Sequence, residues 1–327
     1  MGANKAAGFC GKGKTEMIKY IVHIDGAEER LSALCEASIK DKFQGGESMA
    51  ERVKNRLDKE MESVVKNEFA TIYLHHYDLI HDNQLIPSQY FVYGTAASSV
   101  ICFLLGITKE NPLDLQLPLY DEFFSGVEGT REPEIGLEVD IRVYDKIIQL
   151  INGLPGVQKG VPSYGRILII PKRNSEFEPC DIEEDLLYQY AISVNSECTF
   201  LAQLEEKTGV YLADADIGET LRRVTSGRYC REDLFEKLME YGVERKQALH
   251  VSEVVKNGYG RNEIVFSKCE EILRKHNIPE KMIEECRKTK FLPSRACVAE
   301  EEQIQVRLWY YKTNYPREYE ELFAKLS

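Results

Sequence analysis

The feature that most constrains this chain is a change of hydrophobic period near Cys198. C-terminal to it, "CTFLAQLEEKTGV", "REDLFEKLMEYGV", "RKQALHVSEVVKNGYG", "EIVFSKCEEILRKHNIP", "EKMIEECRKTKF" and "EEEQIQVRLWYYKTNYP" repeat their apolar residues at helical spacing, with Gly, Asn or Pro between segments. Strand signals stop there. N-terminal to it the two periods mix. "AEERLSALCEASIKDKF" is helical, and Val53, Leu57, Met61, Val64 and Val65 mark an amphipathic helix from Met49 to Lys66. "FATIYLHH" (Phe69–His76) reads as a strand, "GTAASSVICFLLGI" as a small-residue entry into an apolar helix, and Val143–Ile151 as a short helix. "RILIIP" (Arg166–Pro171) reads as a buried strand stopped by proline. The expectation is an α+β part followed by an all-helical part, in two or three domains or subdomains.

"EPEIGLEVDIRVYDK" (Glu132–Lys146) raises a chemical question. It opens as an alternating strand with Ile135, Leu137 and Val139 on one face and Glu134, Gly136, Glu138 and Asp140 on the other. Acids at every second strand position point the same way, about 7 Å apart per step, which suits divalent cations. The glycine interrupts that row.

Other motifs carry less. "GFCGKGKT" (Gly8–Thr15) matches the phosphate-loop pattern, but only "MGANKAA" precedes it, and a working loop needs a strand there. It is read as a decoy, and no nucleotide-binding residue is assigned. His75 and His76 are adjacent in a segment read as a strand, so they point to opposite faces and do not converge with His81 on one ion. "NGYGRNE" (Asn257–Glu263) reads as a helix–helix loop. In the aromatic-basic segment around Trp309, Leu308 and Tyr311 or Trp309 and Lys312 are expected to bury one face of a helix. The 9 cysteines are scattered with no CxxC pair, which argues against structural zinc and for a reducing, cytoplasmic setting. No segment has the apolar length of a membrane span or signal peptide. The net charge of -12 argues against tight autonomous binding to nucleic acid.

Longer stretches carry a family resemblance. "VKNRLDKEMESVVKNEFATIYLHH", then "FVYGTAASSVICFLLGITKENPL", then "GVQKGVPSYGRILIIP" and "LEEKTGV" follow one another as in the PolC-type (family C) bacterial DNA polymerase III α subunit. The closing "LRKHNIPEKMIEECRKTKFLPSRACVAEEEQIQVRLWYYKTNYPREYEEL" resembles that family most. The resemblance implies a polymerase-like palm with a mixed sheet over residues 45–210, a helical fingers-derived region over 211–327, and a partly helical extension over 1–44.

The departures decide the functional expectation. In the family, a P-D-I-D strand holds the catalytic metals; here those aspartate positions are Glu134 and Gly136. Glycine has no ligand atom, and the longer glutamate misplaces its oxygens by about 1 Å. The third family aspartate falls near Ala191, and the family's Lys and His in the final loop read Ser294 and Ala296. The basic residue beside the nucleotide phosphates has no counterpart in "YGTAASS", the zinc-binding insert is replaced by "DLQLPLYDEFFSGVEG", and the thumb-like helices and part of the fingers are shortened. The expectation is a shortened, catalytically inactive relative without a cofactor, acting as a binding or regulatory protein, with a replisome or a phage or mobile-element polymerase component as partner. The alternative is an active polymerase or nucleotidyltransferase with an Mg²⁺ site rebuilt from Glu134, Glu138 and Asp140. Lys159, Arg166, Lys172 and Arg173 are the candidates for weak contact with nucleic acid.

Overall fold

The computed structural model describes residues 24–44, 46–82, 84–117, 125–126, 129–130, 133, 135–153, 157–163, 166–171, 188–212 and 228–326. Gly8–Thr15, Glu134, Lys172 and Arg173 lie outside these residues.

The first half begins with helices α1 (Ala27–Lys42), α2 (Glu47–Lys66) and α3 (Ala70–Asp82). On α2 the buried side chains Val53, Arg56, Leu57, Glu60 and Val64 fall at helical spacing, as the sequence pattern requires. The segment read as a strand at Phe69–His76 is instead the start of α3. Ala70 through His76 are all buried, so the helix is apolar nearly all round and shows no one-sided period. Strand β1 (Tyr90–Tyr93) follows, and Gly94, at φ 101°, turns the chain into a 3-10 turn at Thr95–Ser98. The helix after it, α4 (Val100–Leu104), is shorter than its apolar run implies.

A short ribbon, β2 (Ser125–Gly126) with β3 (Gly129–Thr130), precedes β4 (Gly136–Val139), the strand expected from the alternating acids. Then come α5 (Ile141–Gly153), β5 (Val157–Ser163), β6 (Arg166–Pro171) and β7 (Tyr188–Val194). The main sheet has the order β1-β4-β7-β6-β5. β4 runs parallel to β7, and the remaining neighbours pair antiparallel, so the sheet is mixed.

From there the described residues are helical: α6 (Ser196–Thr208), α7 (Arg231–Glu240), α8 (Arg245–Lys256), α9 (Glu263–Lys275), α10 (Glu280–Lys288), α11 (Arg295–Asn314) and α12 (Pro316–Leu326). The stop and start signals act as local chemistry predicts. Asn195 accepts from Cys198 N at 2.9 Å to cap α6, and Gly209 closes it in the left-handed region.

One apolar core joins α1–α5 to the sheet through Leu31, Val53, Tyr73, Leu137 and Val139. A second lies among α7–α10, with Leu238, Phe266 and Leu273 at its centre. A third joins α6, α11 and α12 through Leu201, Leu204, Ile304 and Tyr311. Complete burial of Leu137 and Val139 contributes about 1.5–3 kcal/mol each and fixes the register of β4, because a one-residue slip would send them to the opposite face. That register positions the acid row.

Candidate functional site

β4 places Gly136 opposite Tyr93 on β1 and Ala191 on β7. A Cβ built on Gly136 would fall among the Cζ, Cε1 and Cε2 atoms of the Tyr93 ring. The two positions assigned by resemblance to metal-holding aspartates, 136 and 191, are therefore register partners, and neither residue has a side-chain oxygen. Two residues on, Glu138 is half-buried, and Asn195 Nδ2 donates to its Oε2 at 2.8 Å.

Asp140 follows the strand and is fully buried. Its Oδ1 accepts from Arg142 N at 3.1 Å, which caps α5, and its Oδ2 accepts from Arg142 Nε at 2.8 Å and Nη2 at 2.5 Å. Arg142 Nη1 reaches on to Glu206 at 2.6 Å. The hydrogen bonds to Asp140 lead in holding the Arg142 guanidinium charged above its ordinary range. The rebuilt row is thus committed among its described members: Asp140 to an arginine, Glu138 to an amide. A pair of divalent ions needs free carboxylate oxygens converging on two shared positions, and Glu134, the third member of the row, lies outside the described residues. Among the described residues, no group of three or more His, Cys, Asp or Glu side chains is placed to hold a metal ion.

A second polar centre was not foreseen in the sequence. Ser99 caps α4 by accepting from Ile101 N at 3.1 Å, and its hydroxyl donates to Glu60 Oε2 at 2.6 Å. Val100 N also donates to Glu60, at 3.0 Å to Oε2. Arg56 Nε donates to Glu60 at 2.7 Å, and its other nitrogens reach the carbonyls of Leu117 at 2.8 Å and Ser98 at 3.2 Å. Burial raises the Glu60 carboxyl above its usual range, against the pull of Arg56. The small-residue entry therefore presents its first helical amide to an internal carboxylate. The available signal was an Arg and a Glu four residues apart among the buried positions of α2.

The remaining candidates are dispersed. Lys159 on β5 pairs with Ile170, and Arg166 on β6 pairs with Ser163 at the other end of the same hairpin. His75, His76 and His81 lie on α3 rather than on a strand, so the opposite-face reason for discounting them does not apply. His76 Nδ1 instead donates to the Ile72 carbonyl at 2.8 Å, and burial pushes its pKa down to about 4. His81 packs against Tyr77 with ring centroids 4.0 Å apart and the planes tilted by 34°. Ser294 caps α11 by accepting from Cys297 N at 3.2 Å, and Ala296 is buried. "NGYGRNE" forms the expected loop, with a 3-10 turn at Tyr259–Arg261. Leu308 and Tyr311 are buried, whereas Trp309 is 61% exposed.

Residues 29–160 match the family model described as the bacterial DNA polymerase III alpha NTPase domain. The PolC-type DNA polymerase III of Oceanobacillus iheyensis is 35% identical over 98 residues, covering 29% of this chain and 6% of that protein. The PolC-type enzyme of Thermotoga petrophila is 23% identical over 251 residues, covering 74% of this chain and 15% of the relative. An error-prone DNA polymerase of Pseudomonas syringae is 28% identical over 124 residues, covering 37% of the chain and 11% of that protein. The chain thus matches only a small fraction of the length of these relatives.

Proposed function

The chain is a PolC-like relative of the bacterial DNA polymerase III alpha family, and from that premise we propose that it is a non-catalytic binding or regulatory protein of DNA replication or of a mobile element. On this reading residues 45–210 derive from a palm, 211–327 from fingers, and residues 1–44 form an extension. The observation that carries the proposal is the pairing of Gly136 with Ala191, across which no side-chain oxygen is available to bridge two ions. Phosphoryl transfer rests almost wholly on positioned metals and fixed charge, so losing these ligands removes the chemistry while the scaffold persists. The engagement of Asp140 by Arg142 weighs against a rebuilt site in the same row.

A scaffold that keeps helix, strand and core positions keeps the means to engage proteins that recognise that shape. The partner proposed is a replisome component or a phage or mobile-element polymerase component, and pull-down from the native host is the way to identify it. No helix among the described residues is long and apolar enough to cross a membrane. The decisive assay is extension of a primed template with Mg²⁺ or Mn²⁺. No incorporation above background is expected. Template-dependent incorporation abolished by Glu134→Ala would overturn the proposal and favour an active polymerase.

A further inference from the structure

Gly136 is the first residue of the buried strand β4, where glycine costs backbone entropy and packs nothing. Its φ lies outside the left-handed region, so its backbone does not demand glycine. Space does. The Tyr93 ring lies where a Cβ would be, and the clash involves three ring carbons at once, so the ring has to leave as a body for any side chain to enter. Tyr93 is the register partner of Gly136 across the β1–β4 ladder, and its ring is 6.5 Å from that of Phe91, two residues back on β1.

We infer that Tyr93 is a plug: its ring occupies the volume a carboxylate at position 136 would need, closing this position to a divalent cation by filling it. The inference deepens the non-catalytic reading and rests on it for the meaning of the position. Restoring an aspartate at 136 alone would then not restore a ligand, because its Cβ and carboxyl would meet the ring first. Compensation has to come from β1.

The test is a double-mutant cycle with melting temperature as the readout. Gly136→Ala alone is expected to lower the melting temperature by roughly 5 °C, and in a Tyr93→Ala background the same change should cost about 1 °C or less. Equal costs in the two backgrounds, or no cost in the wild-type chain, would overturn the plug. An additive cycle sinks the plug and leaves the inactivity reading standing. Primer extension by the wild-type chain sinks the inactivity reading and leaves the cycle untouched.

Discussion

Asp140 shows how far single residues could be read in advance. Its place in an alternating acidic row was visible in the sequence, where it was assigned a metal only under the alternative of a rebuilt site. The partner is the guanidinium of Arg142, two residues away, because the strand ends at Val139 and the next residues turn into α5. The buried carboxylate caps that helix and pairs with the arginine together, so Asp140→Ala should cost about 2–4 kcal/mol in urea unfolding. Asp140→Asn, which keeps the cap, should cost less. The Tyr93–Gly136 contact was only half legible: a glycine inside a strand signals close approach of another group, but naming that group needs the β1–β4 register. His76 supplies a pH prediction. Its folded pKa of about 4 lies below the unfolded value near 6.5, so between those limits the unfolded chain binds the extra proton. His76 therefore favours unfolding increasingly as pH falls from about 6.5 toward 4, by up to roughly 3 kcal/mol. Burial raises the Glu60 and Glu205 carboxyls, which act in the opposite sense, so the comparison must be a difference. The gap in unfolding free energy between wild type and His76→Gln should shift toward the variant as pH drops from 7 to 5, and a pH-independent gap would contradict the assignment.

At the scale of elements, period was a good guide on α2, where one face is wet, and alternation was a good guide on β4, where Gly136, Leu137 and Val139 are buried and Glu138 is half-buried. The amphipathic α2 and the strand β4 with its alternating acids appear where the pattern put them. α3 was misread because burial on every side erases the period, and a short run rich in aromatic and β-branched residues then looks like a strand. The burial of Leu308 and Tyr311 on α11 was legible as helical spacing, but what the helix docks against was not. It packs Ala296 into the first core and Ile304, Leu308 and Tyr311 into the third, while polar side chains tie it to residues far away in sequence. Glu300 accepts from Lys109 N at 2.7 Å and pairs with Lys109 Nζ at 3.3 Å, with both side chains almost fully buried, and Gln303 donates to Glu110 at 2.7 Å. At the helix start Arg295 reaches Asp233 at 2.7 Å and the Leu115 carbonyl at 3.2 Å. No local pattern announces pairs separated by nearly two hundred residues. Removing one member strands a buried charge, so Glu300→Ala should cost about 3–5 kcal/mol in urea unfolding, whereas Glu240→Ala, which breaks the exposed pair with Lys237, should leave the unfolding midpoint nearly unchanged.

For the whole molecule the governing quantity is charge. With 54 acidic against 42 basic side chains, the long-range field opposes phosphate unless a basic face is segregated. The resemblance points to the region around the β5–β6 hairpin, where Lys159 and Arg166 occupy strand positions at opposite ends of the pairing. Even if Lys159, Arg166, Lys172 and Arg173 all reach phosphates, they release few counterions, and the slope of log K against log salt for duplex DNA would be about -3.6. Binding should then be sequence-independent, with a dissociation constant of roughly 10⁻⁴–10⁻⁶ M at physiological salt. Fluorescence anisotropy with labelled primed and single-stranded DNA, titrated across salt, measures both affinity and slope. Replacing Lys159 and Arg166 together by Glu should flatten the slope by about 2 if they touch phosphate and leave it unchanged if they only face solvent. A nanomolar constant at physiological salt would mean that a basic face has been assembled despite the net charge. It would also move the functional reading toward a DNA-engaged polymerase, because affinity of that order requires several more phosphate contacts than these side chains provide.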